Sequence, residues 1–341
     1  ANQVSDDLDR YKNDKRWSEV IKASSVFRGV IDSVAPHPCF TGDTLVDTDK
    51  GLVKIEDIVV GDMVLTHKNR YQKVTEVMKR ESKDLYELKV MGSPYTEVTD
   101  SHPYYTRRKS NIGRSFSEPT WKPVEELEKG DYLGFAINQN SIIPSYEGLP
   151  LDSSDFWWVV GRYLGDGWWK NRRPEHDGEY LTIICANKRN GEIDDIKNRL
   201  DNLSKYFNYY STEERTVYRV NISSKSWYGF IKRFGKGSGN KKLTGEALDL
   251  PRELIKGLVD GYISADGSIE NNGRTVSFSS ISRELAYGMA SAIRKAYRKP
   301  VKLYIQDRKD SYLEGRLLSG NRQYVGRFNT DLVKYEQPFY E

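Results

Sequence analysis

Cysteine is scarce in this chain, with two residues, Cys39 and Cys185, and histidine hardly commoner, with four. Two cysteines close at most one bridge, so no disulfide framework holds the fold, and a reducing, cytoplasmic setting is expected. Long apolar runs are absent too. None approaches the roughly 18 residues that cross a bilayer, so a soluble chain is expected. The opening stretch ANQVSDDLDRYKNDKRW is charged and has no apolar centre, which excludes a signal peptide there.

What is present is unevenly spread. Lys and Arg number 15 against 18 Asp and Glu over residues 39–150, but 32 against 25 over 151–341. The second half is basic and rich in Tyr and Trp, which suits a nucleic-acid partner and equally a solvated basic surface. Residues 1–38 carry Leu8, Tyr11, Trp17, Val20, Ile21 and Phe27 at roughly helical spacing, too few to close a core.

From Cys39 the period changes to that of strands. DTLVDTDKGLVKIEDI reads as a hairpin, and short alternating segments follow it. The pattern apolar-Glu-x-apolar-x-x-Gly-Asp-x-apolar occurs twice, in IEDIVVGDMVLTH and VEELEKGDYLGFA, and implies a duplicated all-β unit. NSIIPSYEGLPLDSS, around 140–154, reads as a linker.

A longer repeat follows. DFWWVVGRYLGDGWW and RELIKGLVDGYISADGSIE are apolar helical runs that end in Asp-Gly, and each leads into a strand and an amphipathic helix. Gly161 and Gly165 lie four apart on one helix face, as do Gly261 and Ala265 on the other. Small residues there let two backbones approach. Packed side by side, the helices bring Asp166 and Asp266 together at two helix C-termini, where the macrodipole adds negative charge. Such a pocket suits Mg²⁺ with phosphate and water as further ligands; in isolation, an Asp-Gly also simply ends a helix.

This pair, VVGRYLGDG and VDGYISADG, resembles the LAGLIDADG homing endonucleases. The resemblance implies a mixed α/β domain of two αββαββα-like repeats and metal-binding carboxylates at Asp166 and Asp266. It also implies double-stranded DNA laid on two sheets, and a basic residue before the second motif, at Lys241 or Lys242. For the second half the candidates are Lys302, Arg308 and Lys309. Arg162 and Lys256 interrupt the apolar helices at positions a helix can turn outward, and Trp168 and Trp169 add bulk beside the first Asp-Gly.

Residues 39–140 resemble the N-terminal splicing blocks of inteins. CFTGDTLVDTDKGLVKIEDIVVGDMVL matches the first block and GSPYTEVTDSHPYYTR the second, with Thr99 and His102 in its Thr-x-x-His. The resemblance implies an all-β Hint-type domain. In it Cys39 attacks the carbonyl of Pro38, His102 supplies a proton to the leaving nitrogen, and Thr99 polarises the scissile amide. The expected organisation is an N-extein at 1–38, a splicing domain at 39–150 and an endonuclease at 151–341. SVFRGVIDSVAPHP faintly resembles bacterial and phage DNA polymerase III α subunits, which points to a bacterial or phage-infected host. No Asn-terminated closing block follows Asn329, so the expected partner is a complementary C-terminal intein fragment with its C-extein. A truncated continuous intein, a DNA-binding module with an inactive splicing domain and a hedgehog-like autoprocessing domain are the alternatives.

Overall fold

The structure, a computed structural model, describes residues 38–82, 84–90, 96–110, 115–170, 181–188, 191–270, 274–313, 316–318 and 320–329. The expected extein segment, apart from Pro38, lies outside them. Two compact units divide the chain: one holds Ala1–Thr44, Met78–Lys89 and Tyr95–Gly134, the other Leu45–Val77, Val90–Pro94 and Phe135–Glu341.

In the first unit, β5 (Tyr86–Leu88) pairs with β6 (Thr96–Val98), and β7 (Pro103–Arg108) lies between β8 (Thr120–Pro123) and β9 (Asp131–Leu133). In the second, β1 (Leu45–Thr48), β2 (Gly51–Lys54), β3 (Met63–Leu65) and β4 (Tyr71–Lys73) form an antiparallel sheet in the order β2-β1-β3-β4.

The duplicated sequence pattern has a duplicated backbone. After β2 comes a 3-10 turn at Ile55–Asp57, then Gly61 at φ +104°, then β3. After β8 comes a 3-10 turn at Val124–Glu126, then Gly130 at φ +106°, then β9. Glycine is needed at both because that φ is strained for a side chain with a Cβ. The Asp after each glycine closes its own loop: Asp62 accepts from the Val59 N–H at 3.1 Å, and Asp131 from that of Glu128 at 3.0 Å. Each Asp also meets a cation, Lys50 for Asp62 and Arg108 with Lys122 for Asp131.

The two long repeats follow one plan. The first runs α1 (Ser154–Asp166), β10 (Trp168–Lys170), β11 (Leu181–Asn187), α2 (Glu192–Asn202), β12 (Asn208–Glu213), β13 (Val217–Ser223) and α3 (Lys225–Ile231). A short α4 (Gly245–Asp249) precedes the second: α5 (Arg252–Asp266), β14 (Gly267–Glu270), β15 (Thr275–Ser280), α6 (Arg283–Tyr297), β16 (Lys302–Asp307), the hairpin β17 (Ser311–Leu313) and β18 (Arg316–Leu318), and β19 (Arg322–Asn329). The sheets have matching strand orders, β10-β11-β13-β12 and β14-β15-β19-β16. Their inner faces, with Ile184, Val220 and Ile222 in one and Val276, Phe278 and Leu303 in the other, join a core shared with all the longer helices.

Side-chain caps start these helices. Ser153 accepts from the Phe156 N–H ahead of α1, and Ser282 from that of Leu285 ahead of α6. Between α1 and α5 the backbones themselves meet. A Cβ on Gly161 would run into the Leu258 carbonyl, one on Gly261 into the Trp158 carbonyl, and one on Gly165 into the Ala265 side chain.

The stretch around 140–154, read from sequence as a linker, is packed into the second unit. The Ile142 N–H donates to the Asp249 carbonyl at 3.0 Å, and Leu151 is buried in the core. Asp249 collects Asn138 at 2.6 Å, Asn140 at 3.2 Å and the Tyr71 hydroxyl at 3.3 Å. Beside it Lys295 donates to the carbonyls of Asn140 and Leu248. Strands β1–β4 therefore share a polar cluster with the two-repeat region. Gly51 bridges Thr244, and Gly245 lies against the Asp49 carbonyl. Among the described residues, no helix is long and apolar enough to cross a membrane.

Gly161→Val is expected to lose about 3 kcal/mol or more of stability, because it overpacks a backbone contact that cannot yield locally. Gly239→Ala, where a Cβ meets no atom closer than 3.8 Å, is the control, and thermal unfolding of both variants checks the contrast.

Candidate functional sites

At the chain's first described residues, Cys39 is held by its backbone. Its N–H donates to the Thr99 hydroxyl at 2.9 Å, and its carbonyl accepts from the Thr99 N–H at 3.1 Å. The turn continues with the His102 N–H donating to the Thr99 carbonyl at 3.1 Å. The His102 ring lies 4.0 Å from that of Phe40 and 5.4 Å from that of Tyr104, centroid to centroid. Burial pulls its pKa down to about 4, and its Nδ1 is buried with no partner among the described residues. The structure thus brings Cys39 and His102 to Thr99, which bonds the backbone of both beside the amide that joins Pro38 to Cys39. Thr99 reaches the N–H of that amide, so it orients the nitrogen.

The second site lies where α1 and α5 end. Gly165 is so close to the facing helix that a Cβ on it would lie 3.5 Å from the Asp266 carboxyl carbon. Asp166 is the next residue, and its charge acts on Asp266. Burial raises both pKa values, that of Asp266 to about 6 with the Asp166 charge as second cause, while Arg162 and Lys241 pull Asp166 the other way.

Lys241 is buried, and its Nζ donates to the carbonyls of Tyr163, Leu164 and Gly165 at 2.8, 3.0 and 2.8 Å. These carbonyls belong to the last turn of α1, and that of Tyr163 also accepts from the Gly167 N–H at 2.9 Å. An ammonium there opposes the helix dipole, and burial draws its pKa down to about 8. Lys242, the other candidate, is exposed and remains outside the site; successive residues of an extended segment face opposite ways.

Arg162 corrects the sequence expectation most sharply. It is not turned outward: its side chain is 1% exposed. It donates to the carbonyl of Ser264 in α5 and, at 2.7 Å, to that of Cys185 in β11; it pairs with Glu192 at 2.5 Å and lies 3.6 Å from Asp166. Lys256 is part-exposed and pairs with Asp260. Glu192 had no sequence signal of its own. The clue was an arginine inside an otherwise apolar motif, which demands a buried acid somewhere.

Trp168 and Trp169 divide between two faces. Register sets Trp169 on the core side, against Tyr228, and Trp168 on the outer face under Arg219. That face also carries Cys185, Tyr210, Thr212 and Asn221. The outer face of the second sheet carries Ser277, Ser279, Arg327, Lys302, Tyr304 and Gln306. Arg308 and Lys309 follow β16 directly, ahead of the β17–β18 hairpin.

The donors fit a hard divalent cation such as Mg²⁺. Two partly exposed carboxylates lie at two negative helix ends, and their donors are oxygen. Among the described residues no group of three or more His, Cys, Asp or Glu side chains assembles a metal cage, so water and phosphate would complete the coordination.

Residues 38–92 match the Hint domain family, and residues 253–332 match the LAGLIDADG-like domain family. The chain thus matches a Hint domain in its N-terminal part and a LAGLIDADG-like domain, of mixed α/β architecture, in its second half. It is 26% identical over 273 residues to an iron–sulfur cluster assembly SufBD family protein of Mycobacterium leprae, covering 72% of this chain and 30% of that protein. It is 27% identical over 238 residues to a DNA polymerase of Thermococcus sp., covering 66% and 14%. The chain thus spans less than a third of the length of these relatives. A crystal structure of I-DmoI in complex with its target DNA in the presence of Mn aligns at TM-score 0.38 and 14% identity, over 51% of this chain and 86% of that one.

The raised pKa of Asp266 sets a pH dependence. The folded chain binds this proton more tightly than the unfolded chain, whose carboxyl titrates near 3.8. The stability this group contributes is full below that value and is lost as pH rises through about 6. Without metal, Asp266→Asn is therefore expected to melt higher than the parent at pH 7, with the gap closing toward pH 4. Melting temperatures of both proteins across that range test this.

Proposed function

We propose that this chain performs the first step of protein splicing at Pro38–Cys39 and cuts double-stranded DNA with the Asp166–Asp266 pair. The observation that carries the reading is that pair, set at the ends of two helices in backbone contact, in the same chain as the Cys39–Thr99–His102 turn. The relatives add support. An iron–sulfur assembly protein and a DNA polymerase share little chemistry, yet each resembles this chain over only a minor share of its length. That is the pattern of a segment inserted into unrelated hosts.

In the splicing step Cys39 Sγ loses its proton and bonds to the carbonyl carbon of Pro38. The bond from that carbon to the Cys39 nitrogen breaks, the nitrogen takes a proton, and a thioester replaces the peptide bond. Thr99 holds the N–H of this nitrogen through the hydrogen bond described above. His102 is neutral near pH 7, so it can take the proton that Sγ gives up; the imidazolium so formed holds it weakly and passes it to the far more basic departing nitrogen. Ligation of the flanking segments needs an Asn-terminated closing block, and a complementary intein fragment is the partner we assign to supply it.

In the nuclease, Asp166 and Asp266 would hold the divalent cation, Mg²⁺ by preference. When bound, the ion supplies Lewis acidity at the scissile phosphate and to the attacking water. Lys241 keeps the end of α1 from repelling the phosphate. The outer sheet faces present hydroxyls, amides, aromatic rings and scattered cations to the duplex. Phosphate contacts made there would make binding weaken as salt rises.

Three variants test the reading. Cys39→Ala is expected to abolish thiol-induced release of residues 1–38, read by intact mass, and His102→Ala to slow it about 100-fold or more. Release at the parent rate from Cys39→Ala removes the splicing assignment. Asp166→Asn is expected to stop cleavage of an intein-free host gene while DNA binding in Ca²⁺ persists; undiminished cutting removes the metal assignment. Mixing the chain with an Asn-terminated intein fragment, and weighing the products, tests the partner.

A further inference from the structure

The two repeats solve one packing problem with different residues. Arg162 and Tyr262 occupy the same position, each directly after the contact glycine, Gly161 or Gly261, in its helix. Each reaches a carbonyl of the strand that leads into the repeat's amphipathic helix. The Arg162 guanidinium donates to Cys185 of β11 at 2.7 Å, and the Tyr262 hydroxyl to Ser279 of β15 at 3.3 Å. A tyrosine therefore suffices to tie helix to strand.

Arginine at this position costs more than tyrosine. The charge is buried, and its Nε has no partner among the described residues. Burying an ion carries a large desolvation penalty, and apolar replacements of such groups are often neutral or stabilising. Packing alone does not explain Arg162. Its remaining donors do. One nitrogen bonds the backbone carbonyl and, at 3.2 Å, the hydroxyl of Ser264, two residues before Asp266 on the facing helix. The other pairs with Glu192 and lies 3.6 Å from Asp166. Glu192 is itself anchored, accepting from the Asn187 N–H at 3.1 Å. One planar group thus touches the last turn of both helices that carry the carboxylates, and it is fixed from behind by an acid on a third element.

We propose that Arg162 is a positioning residue of the cation site: held by Glu192, it fixes the Asp166 carboxylate against the end of the helix that carries Asp266. A guanidinium fork is suited to this, because its donors leave in fixed directions and bind several partners at once. The site is then asymmetric by construction, with a rigid charged support on the Asp166 side and a neutral tyrosine at the equivalent place on the other. The inference rests on the metal-dependent nuclease reading above.

The test is a titration of the full chain with Mn²⁺, followed by loss of the free-ion electron paramagnetic resonance signal. Arg162→Tyr copies the second repeat's solution. It is expected to melt within about 3 °C of the parent but to bind Mn²⁺ about 10-fold more weakly, the scale on which outer partners of a metal site act. Arg162→Lys keeps the charge but loses the fork, and is expected to weaken binding as well. Glu192→Gln keeps Arg162 and only loosens it, and decides the matter should the tyrosine variant fail to fold. Parent-level Mn²⁺ affinity in a folded Arg162→Tyr chain, or in Glu192→Gln, overturns the proposal. A parent chain that binds no Mn²⁺ overturns the nuclease reading itself, a different result from equal affinities.

Discussion

The approach of α1 to α5 without side chains between them is the constraint on which the two-repeat region depends. Gly161, Gly261 and Gly165 remove the Cβ atoms that would hold the helices apart. Everything at the site follows from that distance. Two C-termini end side by side, the charge of one carboxylate acts on the other, and both helix dipoles point their negative ends at one spot. An arrangement so unfavourable in charge persists because a large apolar core on both sides of the helix pair holds it. It is partly offset by two buried cations, Lys241 on the last carbonyls of α1 and Arg162 on the last turn of α5. The repulsion that remains between the carboxylates is what the divalent cation proposed above would relieve.

The Hint half rests on a smaller device used twice. In each copy a 3-10 turn, a glycine in the left-handed region and an aspartate that closes its own loop carry the chain from one strand to the next. The aspartate accepts a backbone N–H and a cation at once, so one side chain fixes both the loop and its flank. This leaves the Cys39 region free to be governed by Thr99, whose hydroxyl and backbone both bind Cys39.

Much of this was legible in the sequence, for a local reason. The Gly-Asp turns, the small residues four apart on a helix and the Asp that ends each helix are short patterns, and each pattern dictates its own geometry. What escaped was long-range. Arg162 looks like an interruption until Glu192 and Ser264, from two other elements, are brought to it. Lys241 and Lys242 are indistinguishable in a string, and only the path of the chain buries one and exposes the other. The stretch around 140–154 has the composition of a linker, yet Asn140 and Ile142 bond to Asp249, more than 100 residues away.

The cluster around Asp249 bears on how such a chain changes by descent. Tyr71 and Asn138 precede the two-repeat region in sequence, and both bond Asp249 as well as each other. A gene that shed the two repeats in one deletion would leave this phenol and this amide facing water, and would strip the strand β2 of its bridge to Thr244. Excision of the two repeats is therefore not clean: a shortened chain needs new partners, or new residues, at Tyr71 and Asn138, positions that lie outside the repeats they face.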